Sequence, residues 1–146
     1  MKKFKFSLEK VLQLKEQLLK NLKNELGALQ YQLTLKEKEI EDLKEKYSDS
    51  ELSYKIKMKS QVQAYEIQYY KDYLNQILNN IKIKEEEKLL ILKKIQAKQD
   101  EIIEATKEIS SIEKLKEKRL ADYNYQAQKQ QDILIEEFVS NFKSQF

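Results

Sequence analysis

Residues 8–54, LEKVLQLKEQLLKNLKNELGALQYQLTLKEKEIEDLKEKYSDSELSY, hold one seven-residue register from end to end. Alternating steps of four and three pick out Leu8, Leu12, Lys15, Leu19, Leu22, Leu26, Leu29, Leu33, Lys36, Ile40, Leu43, Tyr47, Ser50 and Tyr54. Eleven of these fourteen are apolar, and Lys15, Lys36 and Ser50 are the interruptions. An apolar residue about every 3.5 positions keeps one narrow seam turned toward a partner helix, which is the pattern of a coiled coil. The 146 residues contain no proline and a single glycine, Gly27, so nothing in the chain forces frequent helix breaks.

Upstream of this stretch, Ser7 is placed to cap the first helix, Glu9 to meet the positive end of its dipole, and Phe6 to staple onto Val11. Residues before Ser7 form a short basic, aromatic tail. Downstream, the same frame lands on Lys57, Gln61, Ala64, Gln68, Lys71 and Asn75, so the first seam ends. A second ladder takes over at Ile67, Leu74, Ile81, Lys88, Ile95, Ile102, Ile109, Lys116, Tyr123 and Gln130. Leu78, Leu92, Leu120, Ala127 and Leu134 lie four residues beyond members of that set and read as its companions. Between the frames, Ser60-Gln61-Val62-Gln63 has the form of a capping box. Asn79-Asn80 is a competing turn, but the second ladder runs through it.

The resulting expectation is an all-α fold: a long antiparallel two-helix coiled-coil hairpin with a C-terminal helical overhang. It is a single coiled-coil domain over 1–146, with helix one at about 7–55, the turn at about 55–60 and helix two at about 61–142. Folding back near residue 58 sets residues near 8 beside residues near 108. Everything after about 115 then lacks an intrachain partner, a projection of about 45 Å at about 1.5 Å per residue. Leu120, Tyr123, Ala127, Leu134 and Phe138 continue an apolar stripe along it, which predicts docking onto another molecule.

Composition narrows the function. With 36% charged and 40% hydrophobic residues, the chain suits a thin seam better than a thick globular core. It contains no His and no Cys, which removes the commonest nucleophiles, bases and soft metal ligands; no catalytic, cofactor or metal site is assigned. Glu85, Glu86 and Glu87 point in successive directions around a helix and read as a solvated face. The 28 basic and 25 acidic residues interleave, and Arg119 is the one arginine, so nucleic acid and small-molecule substrates are not expected. The longest aliphatic run, Leu89 to Leu92, is far short of the roughly 20 residues that span a bilayer. The start of the chain lacks a secretory h-region, and the lack of cysteine suits a cytoplasmic setting.

Tyr69, Tyr73 and Ile77 recur every four residues and make one ridge near the turn, read as a helix-surface anchor for a partner. The alternative is a wider hydrophobic cap that includes Tyr65 and Tyr70. The charge-dense segment Glu113-Lys114-Leu115-Lys116-Glu117-Lys118-Arg119 lies beside the overhang and reads as a solvated face, with electrostatic docking as the second reading.

Three segments together, Phe4-Lys5-Phe6-Ser7-Leu8-Glu9-Lys10-Val11-Leu12-Gln13-Leu14-Lys15-Glu16, Tyr70-Lys71-Asp72-Tyr73-Leu74-Asn75-Gln76-Ile77 and Glu113 to Arg119 followed by Tyr123, resemble the FliJ family of bacterial flagellar export proteins. The resemblance spans nearly the whole chain. It implies a noncatalytic coiled coil like the central stalk of rotary ATPases, serving flagellum assembly, motility and chemotaxis. Its implied partners are the export ATPase ring, the cytoplasmic domain of the membrane export gate, and export chaperones. The implied location is the cytoplasm, peripheral to the inner membrane at the flagellar base. The family's gate-contacting aromatic and aliphatic pair falls on Tyr73 and Ile77; with the ring as partner, the overhang stripe makes Leu120, Tyr123 and Ala127 the expected contact residues. The competing function is a self-associating structural tether or filament protein.

Overall fold

The computed structural model describes residues 2–145. It contains two helices, α1 from Glu9 to Lys57 and α2 from Ala64 to Ser144, packed as an antiparallel hairpin, with no strand among the described residues. The chain divides into two compact units, one formed by residues up to Asn21 and from Ile102 onward, the other by Leu22–Glu101.

The α1 seam follows the heptad reading residue by residue. All fourteen stripe positions are buried or half-buried, and along the rest of α1 only Glu9 and Glu51 are not exposed. In the Leu22–Glu101 unit the most buried side chains are Leu22, Ile40, Ile77 and Ile95; in the other unit they are Phe6, Leu12, Ala105 and Ile109. So few fully covered residues are what a two-helix seam produces, because each side chain has neighbours on one side only.

On α2 the ladder from Ile67 to Tyr123 is buried or half-buried, while Gln130 is exposed. Its companions differ from those expected. Tyr70, Ile77, Lys84, Ile91, Lys98, Ala105 and Ile112, three residues beyond each ladder member, face inward, whereas Leu78, Leu92 and Leu120 are exposed. Two lysines in the inward set explain the difference. Lys84 and Lys98 lay their aliphatic stems along the seam and bring their ammonium groups out to Glu39 at 3.4 Å and Glu25 at 2.7 Å on α1.

The other seam lysines behave alike. Lys15 meets Glu108 at 2.7 Å, Lys36 meets Glu87 at 2.6 Å, Lys88 meets Glu37 at 3.7 Å, and Lys116 meets Glu9 at 2.8 Å. These pairs set the register one heptad away from the expected one: residues near 8 face residues near 116, not 108. In the expected register Lys36 would oppose about Asn80, Lys84 about Gln32 and Lys98 about Leu18. Lysine stems tolerate a seam position only when the charge finds a partner at its edge, so the register that supplies glutamates is the one adopted.

The turn overlaps the expected 55–60 and extends a few residues beyond it. α1 stays helical through Lys57, and residues 58–63 connect it to α2. Ser60 does not cap α2; its N–H and its hydroxyl both donate to the Lys57 carbonyl, at 3.1 and 2.7 Å, and close the end of α1. Gln63 sits where the capping residue belongs, its carbonyl accepting from the N–H groups of Glu66 and Ile67. At the other end Ser7 Oγ accepts a hydrogen bond from Arg119 Nη1 at 2.9 Å, and Phe6 is buried with that guanidinium over its ring.

Candidate docking faces

Within the Leu22–Glu101 unit, the tyrosines of early α2 build the first face. Tyr69, 66% exposed, lies parallel to Tyr73 with ring centroids 6.5 Å apart and meets Tyr70 edge-on at 5.8 Å. Tyr70 in turn packs on Tyr54 of α1 at 5.9 Å. Two lysines of α1 lie over this group, Lys46 over the Tyr73 ring and Lys57 over the Tyr70 ring. Aromatic rings held this way have little rotational freedom left, which lowers the entropic cost of using them as contacts.

Ile77 does not belong to that face. It is 3% exposed, one of the inward companions of the second ladder, so the ridge reading is corrected for this residue. Counting companions four residues onward put Ile77 outside the seam; with companions three onward it becomes core. The outward run instead extends the other way, to the exposed Tyr65 four residues before Tyr69. Tyr70 is the member that ties these rings to the seam, so anchor and hydrophobic cap share the same cluster.

The second face is built within the other unit. Leu120 is 40% exposed, and Tyr123 and Ala127 are half-buried. The α2 segment at 116–123 is not bare, as the sequence reading supposed. The N-terminal tail lies along it: Phe4 packs on Tyr123 with centroids 5.5 Å apart, and the Tyr123 hydroxyl donates to the Lys2 carbonyl at 2.7 Å. The overhang therefore starts near residue 124. From 128 to 145 every residue is exposed, including Leu134, Ile135, Phe138 at 71%, Val139 and Phe142. Ile135, Phe138, Val139 and Phe142 have the spacing of one helical face, a signal present in the sequence of which the earlier stripe had taken in Phe138 alone. A shallow hollow lined by Ile135, Glu136, Val139, Ser140 and Lys143 lies on the same segment.

Two carboxylates of the Glu85-Glu86-Glu87 run meet lysines, Glu85 with Lys44 at 3.5 Å and Glu87 with Lys36 and Lys84, while Glu86 lies on an exposed position. The hydrogen bond from Lys36 holds the Glu87 carboxyl below the usual carboxylate range, and the same lysine lowers Glu39. Reciprocally, Lys36 is raised above the ordinary lysine value by its bond to Glu87, and Lys98 by its bond to Glu25. No helix among the described residues is long and apolar enough to cross a membrane.

In each unit the two helices pair along a thin seam with lysines meeting glutamates across it, the packing of a helical coiled coil. The chain matches the family described as flagellar FliJ protein over residues 4–141, and it belongs to that family. It is thus a component of the flagellar export apparatus, in a family of noncatalytic proteins. Comparison with curated proteins and with solved structures gives no match.

Proposed function

We propose that this protein is a noncatalytic coupling element of flagellar export, with its C-terminal α2 segment docking in the export ATPase ring and its tyrosine face meeting the cytoplasmic domain of the membrane export gate. The observation that carries the reading is the apolar face of α2 that continues past the last residue α1 and the tail can cover. Leu134, Ile135, Phe138 and Val139 are exposed there, beyond residue 124, where neither α1 nor the tail reaches them. An apolar helical face of this kind gains by burial in a partner's groove, at about 25 cal/mol per Å² of apolar area removed from water. Export chaperones are further partners under the same reading, and the protein works at the cytoplasmic side of the inner membrane at the flagellar base.

The test is capture of the purified export ATPase by the full chain and by Phe138→Glu with Leu120→Glu. The parent retains the ATPase and the double variant loses it, with helicity unchanged. A parent that fails to retain the ATPase but sediments as a large, concentration-dependent assembly would favour the self-associating tether.

A further inference from the structure

The N-terminal tail does something the docking function does not require of it. Residues 2–6 are non-helical, yet they cross to α2 and cover the Tyr123 side of the very stripe proposed to meet a partner. The tail is held in two places of different character. Phe6, buried, and Ser7 form an anchor through Arg119, the first by its ring and the second by its hydroxyl. Beyond that anchor, residues 2–5 are held to Tyr123 by the Phe4 ring and the Lys2 carbonyl.

Charge works against the outer hold. Residues 2–10 and 113–119 together carry eight basic and three acidic residues, in a chain whose whole excess is +3. Lys2, Lys3 and Lys5 are exposed, and α2 from Lys116 to Tyr123 carries Lys118, Arg119 and Lys116, the last paired with Glu9 at 2.8 Å, against Glu117 and Asp122. Like charges brought together at a solvent-exposed contact loosen it, and salt relieves the repulsion over about 10 Å at 0.1 M. The outer tail is thus attached by one ring and one hydrogen bond against a repulsion, on a pivot that is itself secure.

We propose that residues 2–5 are a removable strap, pivoting at Phe6, that shields the Tyr123 part of the docking stripe and is displaced when a partner helix binds. This rests on the docking reading above. A face that is open only part of the time binds with an affinity reduced by the open fraction, so the strap weakens docking until it is lifted. The tail and the partner compete for Tyr123.

The experiment measures binding of the purified export ATPase by calorimetry to four forms of the full chain. These are the parent, a variant lacking residues 2–5, Leu120→Glu with Ala127→Glu, and Lys3→Cys with Asn124→Cys joined by a reducible thiol crosslinker. The chain has no cysteine of its own, so the crosslink is unique. Removing residues 2–5 keeps the Phe6 anchor and is expected to tighten binding several-fold. The crosslinked form is expected to bind at least tenfold more weakly and to recover on reduction. A nitroxide on Lys3→Cys should also become less mobile as salt rises, since screening favours the docked tail. If the shortened form binds equally or more weakly while the double glutamate form is impaired, the strap is overturned and the docking reading stands. If the double glutamate form binds as the parent does, the docking reading itself falls and the strap falls with it.

Discussion

Lys36 of α1 and Glu87 of α2 stand 2.6 Å apart across the seam, although Lys36 occupies a position where the heptad pattern calls for an apolar side chain. The pair is joined by Lys84 and Glu39, with Lys84 reaching Glu39 at 3.4 Å and Glu87 at 3.5 Å. Four charges from two helices interlock in one register and in no other. Burying a lysine stem costs stability relative to leucine, and what it returns is the exclusion of misaligned pairings.

Register therefore depends on matched charge. Lys36→Glu places a third carboxylate beside Glu39 and Glu87 and is expected to lower the melting temperature, while adding Glu87→Lys restores most of the loss. Lys36→Leu is expected to keep or raise the melting temperature while broadening the choice of pairing, read as extra oligomers in sedimentation. A double-mutant cycle with no coupling between positions 36 and 87 would remove the pair from the account.

Stability should depend on pH at both extremes. Glu39 and Glu87 have carboxyls held low by Lys36, so their contribution is present above the unfolded-state carboxylate pKa and is lost as pH falls through the lower folded value. Lys36 and Lys98 are raised by Glu87 and Glu25, so theirs is present below the ordinary lysine pKa and is lost as pH climbs through the raised one. Melting followed by circular dichroism should be flat through the neutral range, with no inflection near pH 6.5 since the chain has no histidine. A neutral-range transition would contradict this assignment.

The two neighbours in the tyrosine segment should separate cleanly on truncation. Ile77, at 3% exposure, leaves a cavity in the seam when cut back, so Ile77→Ala should cost about 2–4 kcal/mol. Tyr69 is largely exposed, and Tyr69→Ala should stay within about 0.5 kcal/mol while weakening any partner that uses the ring stack. Equal losses from the two substitutions in urea unfolding would mean that the aromatic face is itself part of the core.

How far the sequence could be read depended on which residues filled the seam. On α1 the stripe is interrupted at only three places, so its eleven apolar residues, mostly leucine, fixed all fourteen positions. On α2 the inward companions include Lys84 and Lys98, while Leu78, Leu92 and Leu120 offered a more apolar set one step away. Hydropathy chose the leucines; the geometry chose the set that keeps each step within the seam and lets lysines reach Glu39 and Glu25. From that one-position error followed the misplacement of Ile77. The tail's docking on Tyr123 was illegible for another reason: it depends on hairpin register, which is fixed by pairings between residues more than forty apart in sequence. Ser60 illustrates the local limit, since a serine near a helix break closes the preceding helix through a carbonyl as readily as it opens the next.

Gly27 offers a test of helix propensity separated from packing. It lies inside α1 with an ordinary helical backbone, and a β-carbon added there would meet nothing within 4 Å. Glycine at such a site loses more backbone freedom on folding than alanine does, and contributes no side-chain contact in return. Gly27→Ala should stabilise the hairpin by about 0.5–1 kcal/mol, raising the melting temperature with no change in secondary-structure content. Because the position faces away from the seam, the gain should add to that of any seam substitution without coupling. A loss of stability on this substitution would show that another chain approaches the α1 backbone closely at Gly27, since no part of this one does.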